Sequence, residues 1–259
     1  AGREFCLGST KVVDEFIEAR EFGSTTRPAL LGPVSFLLLS KARTPGLKPL
    51  SLLDQVVPIY VSVLGRLAAQ GAAWVQIDEP TLTLDLDPTA AAAFVHAYEA
   101  LSSSSDRLSI CLATYFGSLR ENLDLALRLP VACVHLDLVR GPDQLEDALE
   151  KVPADKSLSL GVVNGRNVWK CRLLDVLPHL EEALRILGPD RLVLAPSCSL
   201  LHCPVDLKAE PDLPAEIRDR LAFALQKLEE LSVLRKALTL GREAVRPTID
   251  ENEALFQRI

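Results

Sequence analysis

The chain has 259 residues, of which 48% are hydrophobic and 24% are charged. These proportions allow a full-sized buried core and exclude a disordered, collagen-like or coiled-coil protein. The formal net charge of −7 opposes unaided binding to nucleic acid or to an anionic membrane, so a small-molecule partner is favoured. The length fits two small domains or one α/β barrel, since such barrels often have about 250 residues.

The sequence predicts no membrane span, and a secretory signal is either absent or already removed. No apolar run approaches the roughly 18 residues that a bilayer requires, and residues 1–10 lack a basic segment followed by an apolar one. Six cysteines are too thinly spread for a disulfide scaffold, so we expect a cytoplasmic protein with reduced thiols. There is no Met, even at position 1, and we therefore expect a fragment or a processed product.

Short apolar runs rich in β-branched residues alternate with segments of helical periodicity, which predicts βα units and a parallel sheet. Apolar positions that return every three or four residues predict helices between the runs, the longest over 214–240. The stretch 241–259 is predicted to be a linker leaving the domain. Six strands are predicted, at residues 29–32, 72–78, 108–114, 131–137, 157–163 and 191–195.

Polar residues end most of these predicted strands. Active sites of α/β barrels and open parallel sheets lie at the carboxyl ends of the strands, so the terminal polar residues are candidates for a cleft. The candidates are Asp78, Glu79, Thr114, Tyr115, Asp137, Asn164, Arg166, Ser197 and Cys198.

Each candidate also has a purely structural interpretation. Asp78 and Glu79 could be a helix N-cap and a solvent-exposed charge. Asn164 with Gly165 could form a turn, with Arg166 pairing a neighbouring carboxylate. Tyr115 could pack at the rim of the sheet.

Cys198, His202 and Cys203 offer zinc-ligand chemistry within six residues. Their spacing argues against a metal, because adjacent His202 and Cys203 cannot easily face one ion and no second ligand pair follows. The sequence also lacks the glycine-rich dinucleotide, Walker, nucleophile-elbow and His-Glu-x-x-His motifs. We therefore predict buried thiols and a loop histidine here, and the usual dinucleotide, nucleotide, esterase and metalloprotease assignments are excluded.

Six phrases, in order along nearly the whole chain, resemble the amino-terminal half of cobalamin-independent methionine synthase, the 5-methyltetrahydropteroyltriglutamate–homocysteine methyltransferase family. No single phrase would suffice alone. They are RPALLGPVSF from Arg27, WVQIDEP from Trp74, ATYFG from Ala113, HLDLVRG from His135, GVVNGRNVW from Gly161 and PSCSLLH from Pro196.

This resemblance implies one of two face-to-face (βα)8 barrels, with the catalytic zinc, homocysteine and most folate contacts in the other, carboxy-terminal barrel. The family's zinc ligands are a His-x-Cys pair, a Glu and a later Cys. The corresponding positions here are Ala113-Thr114-Tyr115, Asp137 and Cys198, so two imidazole or thiolate ligands are missing. The resemblance also implies that the first two strands of the barrel are absent, which would leave edges that favour marginal stability or self-association.

The fold expected is thus an incomplete TIM-type (βα)8 barrel with six βα units over residues 1–240. The resemblance implies that this chain is scaffold and cleft wall of a methyltransferase that forms methionine. It would contain neither catalytic nor metal-binding residues and would be inactive without the carboxy-terminal barrel. Homocysteine and methyltetrahydrofolate polyglutamate would be substrates of the complete enzyme only. The alternatives are a stand-alone small-molecule-binding barrel and a barrel like uroporphyrinogen decarboxylase, although the net negative charge gives no sign of a basic cleft for a polycarboxylate.

Overall fold

The computed structural model describes residues 5–257. Its sheet has the order β1-β2-β3-β4-β5-β6, and the pairs with a defined register are parallel. Each strand lies within two residues of its predicted position, and six βα units in an open sheet confirm the incomplete TIM-type barrel. The strands are β1 (Ala29–Leu31), β2 (Trp74–Asp78), β3 (Ser109–Ala113), β4 (Cys133–Asp137), β5 (Ser157–Val163) and β6 (Leu192–Pro196).

Helices follow the strands as the periodicity predicts, and short 3-10 turns join several of them. Three helices were not predicted: the first, the second and the last. The helices are α1 (Lys11–Glu21), α2 (Pro33–Leu39), α3 (Leu53–Ala69), α4 (Pro88–Ser102), α5 (Leu123–Arg128), α6 (Gln144–Lys151), α7 (Leu173–Leu187), α8 (Ala215–Arg218), α9 (Ala224–Leu240) and α10 (Arg246–Gln257).

The chain divides into two compact units. Unit 1 runs to residue 135 and includes residues 151–156, whereas unit 2 covers residues 136–150 and those from 157 onward. Strand β4 therefore has its first three residues in unit 1 and its last two in unit 2.

The core of unit 1 lies between the strands and helices α3 and α4. Phe94 and Tyr98 of α4 and Leu64 and Leu67 of α3 are fully buried. Helix α4 begins where Pro88 occupies its first position and the Asp87 carboxylate accepts the Ala90 N–H at 2.8 Å. This combination of an N-cap carboxylate and a proline at the first position is a strong helix start.

The core of unit 2 is formed by β5, α7 and α9. Strand β5 is buried from Leu158 to Val163, as expected for a parallel strand covered on both faces. Helices α7 and α9 contact each other; α7 buries Leu177 and Leu180, and α9 buries Leu234.

The helix predicted over 214–240 is two helices, because residues 219–223 leave the helical path. The backbone there bonds to another part of unit 2: the Ala222 N–H donates to the Val168 carbonyl at 2.8 Å, and the Lys170 N–H to the Arg220 carbonyl at 3.0 Å. Leu221 and Phe223 are buried by this detour. Long-range backbone pairing of this kind overrides local helix propensity.

The described part of the segment 241–259 is helical and packs within unit 2. The Asn252 side chain accepts the Leu173 N–H at 3.0 Å and donates to the Cys171 carbonyl at 2.9 Å. Arg172 forms a bidentate ion pair with Glu253, with N–O distances of 2.6 and 3.0 Å. The domain boundary at residue 240 stays a prediction.

Among residues 5–257, one helical stretch, Pro49–Ala69, is long and apolar enough to cross a membrane by length and composition alone, whereas the sequence predicts no membrane span. Helices in the cores of soluble proteins meet the same test. Here the α3 portion buries Leu53, Val56 and Leu64 within unit 1. The helix is therefore weak evidence for a membrane span.

Candidate functional site

Glu79 follows β2 and is fully buried beneath the start of α2. Its Oε2 accepts the Ser35 N–H at 2.7 Å and its Oε1 accepts the Val34 N–H at 3.3 Å, while the Tyr98 hydroxyl donates to Oε1 at 3.4 Å. These donors include the first free N–H groups of α2, which a carboxylate satisfies well. Burial raises the pKa of Glu79 to about 7, against the opposing effect of the Ser35 and Val34 hydrogen bonds.

Gly32 leaves the space that this carboxylate fills. A Cβ atom added to Gly32 would lie 2.0 Å from Glu79 Oε1 and 2.1 Å from its Cδ. The backbone at Gly32 is extended, with φ of −70°, so the requirement for glycine here is one of space. The Glu79 carboxylate is thus enclosed by α2, Tyr98 and Gly32 and has no exposed surface.

Asp78 has a different environment from its neighbour Glu79, because it is only partly buried. Gln76 Nε2 donates to Oδ1 at 2.7 Å and the Tyr115 hydroxyl donates to Oδ2 at 3.1 Å. Arg27 Nη2 donates in turn to Gln76 Oε1 at 2.9 Å. Burial raises the pKa of Asp78, and the Gln76 and Tyr115 hydrogen bonds and the Arg27 charge oppose that rise.

These four residues form what we call the Asp78 network: Arg27, Gln76, Asp78 and Tyr115. Arg27 and Gln76 were not among the predicted site residues. Gln76 could have been predicted from the sequence, since it lies two positions before Asp78 and hence on the same face of β2. Arg27 precedes β1, and its proximity follows only from the pairing of β1 with β2.

Thr114 and Tyr115 follow β3 but have different surroundings. Thr114 is buried, and its hydroxyl donates to the His135 carbonyl at 2.6 Å, tying β3 to β4 within unit 1. The Tyr115 ring packs edge-on against Phe116, with ring centroids 4.5 Å apart. Phe116 has a φ of 77°, a left-handed conformation that is strained for a bulky residue and is typical of functional loops.

In unit 2, Asp137 is buried and closes the turn after β4. Its Oδ1 accepts the N–H groups of Val139 and Arg140, both at 3.0 Å. Asn164 acts similarly after β5, where its Oδ1 accepts the Arg166 N–H at 2.8 Å. Both are side-chain turns of the Asx type, and Arg166 is carried outward to an exposed position.

Ser197 and Cys198, which follow β6, are packed against Gly165. The Gly165 N–H donates to Ser197 Oγ at 3.1 Å. A Cβ atom at Gly165 would lie 2.7 Å from the Cys198 carbonyl oxygen and 2.9 Å from its Sγ. Burial raises the pKa of the Cys198 thiol, which disfavours the thiolate that a metal would need.

Cys203 and His202 do not complete a metal site with Cys198. The Cys203 thiol donates to the Gly165 and Asn167 carbonyls, with sulfur–oxygen distances of 3.2 and 3.1 Å, and its pKa is raised by burial. His202 is exposed. Among residues 5–257, no group of three or more His, Cys, Asp or Glu side chains is arranged to hold a metal ion. The donor set therefore does not fit the zinc that the resemblance implies for the complete enzyme.

The sequence and fold can now be compared with known proteins. A family model described as the N-terminal domain of cobalamin-independent synthase matches residues 1–188. The chain belongs to this family. Curated relatives in the cobalamin-independent synthase family include proteins from Nitrobacter winogradskyi, 51% identical over 95% of this chain, and Caulobacter vibrioides, 51% identical over 96%.

Both relatives are named 5-methyltetrahydropteroyltriglutamate–homocysteine methyltransferase, and this chain covers 32% of each. The chain thus spans about a third of the length of the curated relatives it matches. The family match confirms the resemblance drawn from the sequence phrases.

Solved structures support the fold. A B12-independent methionine synthase from Shewanella sp. W3-18-1 in complex with selenomethionine superposes with a TM-score of 0.63 at 16% identity, covering 92% of this chain and 67% of that one. A putative vitamin-B12-independent methionine synthase from Listeria monocytogenes gives a TM-score of 0.58 at 18% identity, over 90% and 69% of the two chains. At these identities the likeness establishes the fold alone.

Proposed function

We propose that this chain is part of an enzyme that transfers the methyl group of 5-methyltetrahydropteroyltriglutamate to homocysteine, forming methionine. The observation that carries the proposal is the 51% identity, over 95% of the chain, to proteins named for this reaction. The remaining two thirds of such an enzyme would include the carboxy-terminal barrel as the partner of this chain. The enzyme would act in the cytoplasm on these small molecules, without nucleic acid or membrane partners.

Within that enzyme we assign this chain the role of scaffold and cleft wall. Zinc would be held by the carboxy-terminal barrel, where it would lower the pKa of the homocysteine thiol. The donor set here supports this division, because the Cys198 and Cys203 thiols are buried with raised pKa values and the Asp137 carboxylate already caps a turn. Alone, the chain is expected to be inactive.

The Asp78 network is the part of unit 1 best suited to form a cleft wall. Two of its members, Asp78 and Tyr115, lie at the carboxyl ends of β2 and β3, where barrel active sites are found. Asp78 is partly exposed, and its neighbour Glu79 is enclosed. In unit 2, Arg166 is the exposed strand-end side chain and thus the matching candidate there.

The test is a chimera in which this chain replaces the aligned segment of the Nitrobacter winogradskyi relative, compared with the isolated chain. We expect the chimera to convert homocysteine to methionine, and the isolated chain to show neither turnover nor stoichiometric zinc after dialysis. In the chimera, Asp78→Asn should lower kcat/KM by about tenfold, the order expected when a positioning group is lost. Asp85→Asn is the matched control, since Asp85 is almost fully exposed and should leave activity unchanged.

Two results would contradict the proposal. Turnover with near-stoichiometric zinc in the isolated chain would overturn the scaffold role. A folded chimera without activity would overturn the assignment to this reaction, and equal activity of the Asp78→Asn and Asp85→Asn chimeras would overturn the cleft-wall role of the network.

A further inference from the structure

Unit 2 contains a pocket of about 550 Å³ between α9, α10 and the segments that precede α7 and α9. This volume lies within the range of small-molecule sites in proteins. Its apolar wall includes Leu173, Leu221, Val233 and Leu255. The residues of the Asp78 network and the other strand-end candidates do not line it.

Glu230 is a buried carboxylate in the wall of this pocket, with 9% of its surface exposed. Its Oε1 accepts the Cys171 N–H at 2.8 Å. Its Oε2 is the one buried side-chain nitrogen or oxygen atom among residues 5–257 that has no hydrogen-bond partner. A buried acceptor without a donor is costly, so this oxygen marks a position where a donor is missing.

Lys227, the cation nearest along α9, does not supply that donor. It is fully buried, and its Nζ donates to Asn167 Oδ1 at 3.1 Å and to the Trp169 carbonyl at 3.0 Å. Among the ion pairs found in the described part of the chain, none joins Lys227 to Glu230, so no cation contacts the carboxylate directly. The Lys227 and Lys170 charges act on it from a greater distance and oppose the rise in its pKa.

The charged groups around the pocket are mainly acidic. Asp219, Glu229 and Glu251 line it together with Glu230, against two cations, Lys170 and Arg218. Four carboxylates against two basic groups give a negative local balance, which disfavours an anion and attracts a cation. The apolar wall excludes water from one side and favours a ligand with an aliphatic body.

We propose that this pocket binds a small organic ammonium ion with an aliphatic chain, anchored by the Glu230 carboxylate. The ammonium group would donate to the Glu230 carboxylate, and the aliphatic body would lie against Leu173, Leu221 and Val233. A metal cation fits less well, since among residues 5–257 no three His, Cys, Asp or Glu side chains are arranged to hold one.

The test uses purified chain 1–259 and 1,5-diaminopentane as the probe, with 1,5-pentanediol as the uncharged analogue, in calorimetric titrations at pH 8. We expect saturable binding of the diamine and none of the diol. Glu230→Gln should lower the affinity for the diamine by about tenfold or more, because it removes the negative charge from the hydrogen-bond acceptor that anchors the ammonium group. Glu216→Gln, the same change at an exposed position of α8 outside the pocket, should leave the affinity within about twofold.

A second measurement needs no variant and so does not depend on how Glu230→Gln folds. Burial raises the pKa of Glu230 to about 7, in a setting that also includes Cys171, Lys170, Lys227, Glu229 and Glu251. A cation bound to the carboxylate favours its ionised form, so binding at pH 7 should release up to about half a proton, seen as a dependence of the heat on buffer ionisation enthalpy.

The proposal is overturned if the diamine does not bind, if the diol binds as tightly, or if the heat at pH 7 is the same in all buffers. Equal affinity of folded Glu230→Gln and Glu216→Gln would also overturn it.

Discussion

Replacing Gly32 by alanine should destabilise unit 1 severely, because it forces a buried carboxylate out of place. The new Cβ would lie 2.0 Å from Glu79 Oε1, far inside van der Waals contact, and the obstructing atoms belong to a fully buried side chain. Moving Glu79 breaks its hydrogen bonds from the N–H groups of Ser35 and Val34.

At pH 8, above its pKa of about 7, Glu79 is mainly ionised, so both bonds are charge-assisted. Hydrogen bonds to charged groups contribute about 1.5–3 kcal/mol each, and the Val34 bond is long, so we expect a loss of about 3–5 kcal/mol in the free energy of unfolding. The measurement is urea denaturation of chain 1–259 followed by circular dichroism. The urea slope m should be unchanged if only stability is affected.

Gly65→Ala is the matched control for this substitution. Gly65 lies inside α3, and a Cβ there meets nothing within 4 Å. Alanine has the higher helix propensity, so this variant should gain about 0.5–1 kcal/mol. If the free energy of unfolding of Gly32→Ala lies within about 1 kcal/mol of the wild-type value, Glu79 does not pack under α2 as described.

Three further predictions concern Glu79, Gly165 and Tyr115. Because the pKa of Glu79 is raised from 4.5 to about 7, the folded state holds its proton where the unfolded state has lost it, so this residue's contribution falls as pH rises from about 4.5 to 7. Between pH 4.5 and 8 the free energy of unfolding, measured by urea titration, should therefore fall by about 3 kcal/mol less in Glu79→Gln than in the wild type. Parallel pH profiles of the two proteins would refute the raised pKa of Glu79. Gly165→Ala should lower the free energy of unfolding by about 2 kcal/mol or more, since its Cβ would lie 2.7 Å from the Cys198 carbonyl oxygen; an unchanged urea midpoint would contradict this. Tyr115→Phe should raise the pKa of Asp78 further, measured by NMR titration of its carboxyl carbon, because it removes a donor to the ionised form; a fall in that pKa would exclude the Tyr115 hydrogen bond.

The sequence by itself determined the strands, most of the helices and the family. Strands β1 to β6 could be predicted because each is a short, mainly apolar run, and this is a local property of the chain. Residues 110–113 of β3 are an example, since all four are apolar and buried. The polar residue that ends each run is equally local, so Asp78 and Tyr115 of the Asp78 network could be named, whereas Gln76 and Arg27 were missed. The break between α8 and α9 could not be predicted, because it depends on backbone bonds from residues 220 and 222 to residues 168 and 170.

Only the tertiary structure decided what each strand-end residue does. Asp78 and Glu79 are adjacent and chemically alike, yet Asp78 joins a partly exposed network and Glu79 is enclosed against α2. That difference depends on the position of Ser35 and Tyr98, which are 44 and 19 residues away along the chain. The same holds for Glu230, because its oxygen without a hydrogen-bond partner becomes evident only once α9 is packed against the segment before α7. Burial and hydrogen-bond partners are properties of long-range packing, and no local pattern of residue types encodes them.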